Sequence, residues 1–203
     1  MPEPRPPLAE DVRVAILSGS TRPGRQSEAV AQWVLAHAAA RGDAVFELVD
    51  IADHELHRLD EPLPPLAGHY SQAHTIEWAQ RIAPFDAFVF VTPEYNHSVP
   101  GALKTAIDFL FAEWNDKAAG FVSYGVDGGV RAVEHLRQIA AEVKLAGVRS
   151  AVSLTFADDF EGYTTFTPRD EQSEAVNLML DDVLAWARAL RVLRGKDTDA
   201  EAA

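Results

Sequence analysis

The chain has 203 residues, 47% of them hydrophobic, and a formal net charge of −13. That length suits one well-buried α/β domain and is short for two, and the acidity argues against generic binding to nucleic acid or an anionic membrane. No apolar run approaches the ~20 residues needed to cross a bilayer, and the absence of cysteine excludes disulfides, thiolate metal sites and a cysteine nucleophile.

The start, Met1-Pro2-Glu3-Pro4-Arg5-Pro6-Pro7, lacks the apolar core of a signal peptide, so a cytoplasmic setting is the default expectation. Residues 1–10 read as a disordered proline-rich segment, 11–194 as a single domain, and 195–203 as a disordered tail. Within the domain, apolar runs near 12–18, 44–49, 86–92, 119–124 and 148–154 read as strands. Helical periodicity falls near 27–41, 72–83, 100–113, 130–146 and 171–193. In the last of these, Val176, Met179, Leu180, Val183, Leu184, Ala187 and Leu190 share a face. Strict alternation of strand and helix predicts a doubly wound parallel sheet, flavodoxin-like, with strand order 2-1-3-4-5 and ligands beyond the carboxyl ends of the strands. The connection from Asp50 to Tyr70, with Pro62, Pro64 and Pro65, is long for a compact domain; it reads as a lid, an interface arm or a plain surface excursion.

Three turns between strand and helix carry chemistry. The first, Leu17 to Ser27, offers the hydroxyls of Ser20, Thr21 and Ser27 and the charges of Arg22 and Arg25, with no acid until Glu28. A helix N-terminus has unpaired amides and partial positive charge, so this turn is a candidate phosphate cup; the alternative is an ordinary turn with solvated arginines. It lacks the Gly-Lys-Ser/Thr ending of a P-loop and the third glycine of a dinucleotide fingerprint. The second, Thr92 to Gly101, contains Pro93, Tyr95 and Asn96 and places Pro100 at the start of the next helix with Ser98 as its cap. It can line a flat heterocycle or serve only as a capped turn. The third, Ser123-Tyr124-Gly125-Val126-Asp127-Gly128-Gly129, has three glycines that permit close backbone approach or a tight turn.

These motifs resemble the NADPH-dependent FMN reductase family of flavodoxin-like quinone, azo-dye and metal-ion reductases. The resemblance rests on Gly19-Ser20-Thr21-Arg22 with Ser27, on Pro93-Glu94-Tyr95-Asn96-His97-Ser98-Val99-Pro100-Gly101-Ala102-Leu103-Lys104, and on Ser123-Tyr124-Gly125 with Gly128-Gly129. Weaker similarity runs through Tyr70, His74 and Trp78, and Thr105 departs from the asparagine common in the family. The resemblance implies FMN as cofactor and NADPH as electron donor. It places Ser20, Arg22, Gln26 and Ser27 at the flavin phosphate, and Pro93, Glu94, Tyr95 and Asn96 along the isoalloxazine ring. Ser123, Tyr124 and Gly125 then close the other side, and His97 is a candidate substrate contact. It also implies a small-molecule acceptor and a homodimer or homotetramer, with no side chain required as acid, base or nucleophile.

Two rival classes are weighed. A non-enzymatic FMN-binding carrier or regulatory module would accept electrons only from a protein partner. A phosphoacceptor receiver domain would need acids after the first and third strands, where Ser18-Gly19 and Thr92-Pro93 stand. His54, Glu55 and His57 lack a convincing further ligand, so no metal is expected. Asp50 is discounted as a ribose-binding acid. Lys104 is expected to pack or pair with a carboxylate, and Trp33, Trp78, Trp114 and Trp186 to serve core or interface.

Overall fold

The computed structural model describes residues 12–56 and 58–200, with side chains up to 195. Strands β1 (Arg13–Ser18), β2 (Val45–Asp50), β3 (Ala87–Pro93), β4 (Lys117–Gly125) and β5 (Leu145–Thr155) form one parallel sheet in the order β2-β1-β3-β4-β5, as the alternation of elements predicts. Helices α1 (Ser27–Ala39) and α5 (Asp170–Ala200) cover one face; α2 (Ala73–Ile82), α3 (Gly101–Asp108) and α4 (Val130–Glu142) cover the other. With both faces covered, β3 and β4 are buried along their whole length, which explains their uninterrupted apolar runs. The α5 stripe from Val176 to Ala187 is buried against the sheet, and α1 answers with Val30, Val34 and Ala38. Among the described residues no helix is long and apolar enough to cross a membrane.

Three boundaries differ from the sequence reading. Helix α3 stops at Asp108, short of 113, and the chain makes a 3-10 turn over Ala112–Trp114 that seats Trp114 in the core, its indole N–H donating to the Ile107 carbonyl at 3.1 Å. Helix α4 stops at Glu142 because Lys144 adopts φ 55°, so β5 begins at Leu145 instead of 148. Helix α5 runs to Ala200 through part of the stretch read as a tail, and its Arg191 and Arg194 side chains converge on Asp86 at the foot of β3. Residues 1–11, which contain the proposed disordered start, and 201–203, the last of the proposed tail, lie outside the described residues. Between β5 and α5 a small hairpin, β6 (Phe160–Glu161) with β7 (Thr165–Phe166), was not anticipated. Asp159 organises it: its buried carboxylate accepts from the Thr155 and Arg169 backbone N–H groups at 2.9 and 3.2 Å and pairs with the Arg169 guanidinium.

The long connection after β2 is anchored at both ends. The Asp50 carboxylate accepts from the Ala52 N–H at 3.0 Å, and the Tyr70 hydroxyl donates to Glu113 at 2.8 Å. Midway, Glu61 accepts from the backbone N–H and hydroxyl of Ser71 and from the Gln72 N–H at 2.9 Å, acting as a remote cap for α2. Desolvation opposes ionisation there, but these donors prevail and hold the Glu61 carboxyl down at about 2. A carboxylate depressed in the folded state stabilises above its unfolded value and loses that contribution as pH falls through the folded one. The melting-temperature gap between the native protein and Glu61→Gln, open at neutral pH, should therefore narrow as pH drops from 4.5 to about 2. A gap independent of pH would remove Glu61 as an ionised cap.

Candidate active site

The turn after β1 is pressed against its neighbours. The Gly19 N–H donates to the Val91 carbonyl at 2.8 Å, and a Cβ on Gly19 would lie 2.9 Å from that oxygen and from Leu103 Cδ2. Only glycine permits this approach, which holds the turn down at the carboxyl end of the sheet. Ser20 and Ser27 are fully buried, and the Ser18 hydroxyl donates to Ser27 Oγ at 3.1 Å. Gln26 occupies the N-cap position of α1 with helical dihedrals, and no side chain caps the helix. The Ser27 N–H meets the Tyr124 hydroxyl, and the amides that follow it in the first turn, with their partial positive charge, remain available to an anion.

The two arginines of this turn differ. Arg25 is bound to Asp50 at 2.7 Å and lies 3.9 Å from Glu28, so its charge is spent within the protein, contrary to the expectation from sequence. Hydrogen bonding to Asp50 raises its pKa further, leaving it permanently charged but matched. Its Nε is buried without a partner. Arg22 is exposed, makes no ion pair among the described residues, and lies over the Tyr95 ring at 5.9 Å from the centroid.

The loop after β3 is a hairpin turn. Tyr95 N–H donates to the Ser98 carbonyl at 2.8 Å and Ser98 N–H to the Tyr95 carbonyl at 3.0 Å, with Asn96 and His97 at φ 52° and 67°. Positive φ at both central residues defines a type I′ turn, which asparagine tolerates and histidine adopts at some cost. Both tip residues are exposed. Pro100, not Ser98, is the N-cap of α3, and no side chain caps that helix. The Ser98 hydroxyl instead meets His135 Nδ1 at 3.0 Å, because its backbone is committed to closing the turn. The Glu94 carboxylate, nearly buried, accepts from the Arg131 backbone N–H at 3.1 Å and from its Nε at 2.6 Å, so this side chain binds α4 and leaves the loop its backbone groups. Arg131 also reaches Asp127 at 2.7 Å.

The turn after β4 is fixed from beneath. Ser123 and Ser153 hydroxyls donate to the Gly128 carbonyl at 2.7 and 2.9 Å. Tyr124 is buried among Phe156 and Phe160 on the α1/α5 side. Burial pushes its phenol pKa up, partly countered by the Ser27 hydroxyl and backbone N–H and by the charge of Arg22. What residues 123–125 present at the sheet edge is thus backbone. The Gly125 α-carbon side lies near Glu94, with a notional Cβ 3.6 Å from Glu94 Cβ, so the second and third turns adjoin.

Sequence reasoning missed Arg131 and His135, which hold the 93–98 loop from α4, and Asp50, which takes Arg25. Arg131 and His135 stand four apart on one side of α4, with Asp127 four residues ahead in the preceding turn, a signal that was present. Lys104 pairs with Asp108 at 2.6 Å, and Trp78 and Trp114 are core. Among the described residues no group of three or more potential metal ligands is assembled; His57 lies outside them, and the His54 ring packs at 4.7 Å from that of Trp78 with its pKa lowered by burial. Beside the first turn a cavity of about 470 Å³ is bordered by Thr21, Ile51, His54, Gly101 and Thr105.

Residues 12–159 match the family model described as NADPH-dependent FMN reductase. A NAD(P)H-dependent FMN reductase of Schizosaccharomyces pombe is 37% identical over 149 residues, covering 72% of this chain and 74% of that protein. A quinone reductase of Escherichia coli is 38% identical over 138 residues, covering 65% and 71%. Among solved structures, the flavoenzyme NAD(P)H:(acceptor) oxidoreductase of Paracoccus denitrificans superposes with a TM-score of 0.66 at 23% identity over 86% of this chain and 98% of that one, a likeness of fold.

Proposed function

Because the chain belongs to the NADPH-dependent FMN reductase family, we propose that it reduces a small acceptor, such as a quinone, a flavin, an azo compound or a metal ion, at the expense of NAD(P)H with FMN as its cofactor. The observation that carries this reading is the uncapped N-terminus of α1 flanked by buried Ser20 and Ser27 and by unpaired Arg22. In a protein of net charge −13, an arginine without an ion pair among the described residues, beside the Ser20 and Tyr95 hydroxyls, suits a phosphate monoester. Ser20, Arg22, Gln26 and Ser27 would hold that phosphate. The rigid backbone of Pro93–Asn96 and Ser123–Gly125 would flank the ring, and exposed His97 would face the incoming substrate. When bound, FMN would supply the redox chemistry, two electrons entering as hydride from reduced pyridine nucleotide and leaving to the acceptor as hydride or as electrons with release of a proton. The protein then needs no acid, base or nucleophile of its own; it binds, orients and sets the polarity around the ring. A homodimer or homotetramer in the cytoplasm belongs to the same reading. Leu59, Leu63 and Leu66, 48%, 50% and 71% exposed on the long connection, supply apolar surface for a second copy, which sedimentation can test.

The decisive measurement is an anaerobic visible spectrum of FMN-loaded protein before and after NADPH. Rapid bleaching of the flavin band is expected. A yellow complex that NADPH leaves unchanged would favour an electron carrier reduced by a protein partner, and failure to bind FMN would end the assignment of all three loops.

A further inference from the structure

We propose that the Tyr95 hydroxyl is a phosphate ligand that works as a pair with Ser20, making Tyr95 a residue that selects a phosphorylated flavin over an unphosphorylated one; this rests on the FMN reading above. Tyr95 leaves the loop after β3, yet its hydroxyl reaches across to the turn after β1 and lies 3.0 Å from Ser20 Oγ. Its backbone is locked by the two hydrogen bonds of the type I′ turn, so the phenol is presented from a rigid support.

The proton inventory of the pair points outward. Each hydroxyl carries one proton and can accept. When one donates to the other, one O–H is left with no acceptor inside the pair. Ser20 Oγ also accepts from the Arg22 N–H at 3.4 Å, and with Ser20 donating to Tyr95 it is the phenol O–H that needs an external acceptor. The surrounding charge fixes the kind of acceptor. Arg22 lies over the Tyr95 ring without an ion-pair partner among the described residues. The nearby acids are taken: Asp50 by Arg25 and Glu94 by Arg131. A free O–H beside an unmatched guanidinium and an uncapped helix N-terminus calls for an anionic oxygen, and the phosphate of FMN is the group of this chemistry that the reading supplies. In this role Tyr95 ties the phosphate turn to the loop that flanks the ring.

The test compares FMN with riboflavin, which has the same ring and no phosphate, binding to the native full-length protein and to Tyr95→Phe by quenching of flavin fluorescence. The backbone-made turn does not depend on the hydroxyl, so the variant keeps the aromatic ring and the fold. Loss of a hydrogen bond to a charged group predicts FMN affinity weaker by about tenfold or more with riboflavin affinity unchanged. Unchanged FMN affinity, the outcome for a ring platform, would overturn the proposal, as would equal weakening for both flavins. Failure of the native protein to bind FMN would instead sink the reading of function, so the two failures are distinguishable.

Discussion

Arg22→Ala should raise the dissociation constant for FMN by about 10- to 100-fold, the range for a charge-assisted hydrogen bond of ~1.5–3 kcal/mol. The expectation follows from a difference between two arginines three positions apart in one turn. Arg25 is neutralised by Asp50 at 2.7 Å and approached by Glu28, whereas Arg22 has only the π-face of Tyr95 beneath it. With a net charge of −13 repelling an anionic ligand, Arg22, the positive group of the turn without an ion pair among the described residues, carries most of the local attraction. Arg25→Ala should accordingly weaken FMN far less and act through the packing of β2 against α1, since it strands the Asp50 carboxylate. Because the Arg22 contribution is electrostatic and exposed, the gap between native protein and Arg22→Ala should shrink as salt is raised. Reduction by NADPH of the variant saturated with FMN should change little, since Arg22 serves the phosphate and not the ring. Fluorescence titration at two salt concentrations checks all of this. An unaltered FMN affinity in Arg22→Ala would take the phosphate out of this turn.

What could be read from the sequence, and what could not, divides along the range of the interactions. The apolar runs of β1, β3 and β4 mark a sheet covered on both faces, and the order of elements then leaves few topologies. Turn chemistry was legible where one residue type decides it, as with Asn96 in the left-handed region. It misled where the usual residue is absent. The sequence reading carries α4 on to 146, yet Lys144 makes the reversal, while Gly147 sits inside β5, where a Cβ would press on Phe121 at 3.1 Å. The site was legible as a set of loops and illegible as a set of side chains. Nothing local to Arg25 announces Asp50, nor does anything near Glu94 announce Arg131; each pairing spans two elements that only the sheet order brings together. Tyr124 is the clearest case. Its place after Ser123 in the motif says nothing of its partners, and strand alternation turns its phenol toward Ser27 and the α1/α5 core.

In the third turn Gly128 and Gly129, rather than Gly125, require the left-handed backbone, and Gly129 is the one pressed against β4. Gly129 holds φ 74° as the N-cap of α4, and a Cβ there would lie 2.8 Å from Ser123 Cβ and 3.0 Å from the Tyr124 nitrogen. Left-handed backbone costs an alanine ~1–2 kcal/mol, and overpacking against a buried strand adds ~1–3. The strand cannot yield, because Ser123 is also bonded to the Gly128 carbonyl and β4 is paired on both sides. Gly129→Ala should therefore destabilise the fold by about 2–5 kcal/mol, read as a lower urea midpoint with an unchanged slope. Gly125→Ala should cost little, because its Cβ would find only ordinary contacts of 3.5 and 3.6 Å and its backbone does not need positive φ. Under conditions where both variants are folded, Gly129→Ala should weaken FMN and riboflavin alike, since it displaces the backbone beside the ring and leaves the phosphate turn intact. A Gly129→Ala protein as stable as the native one would mean that β4 can shift under this turn. The rigid backbone on which the ring assignment relies would then be lost with it.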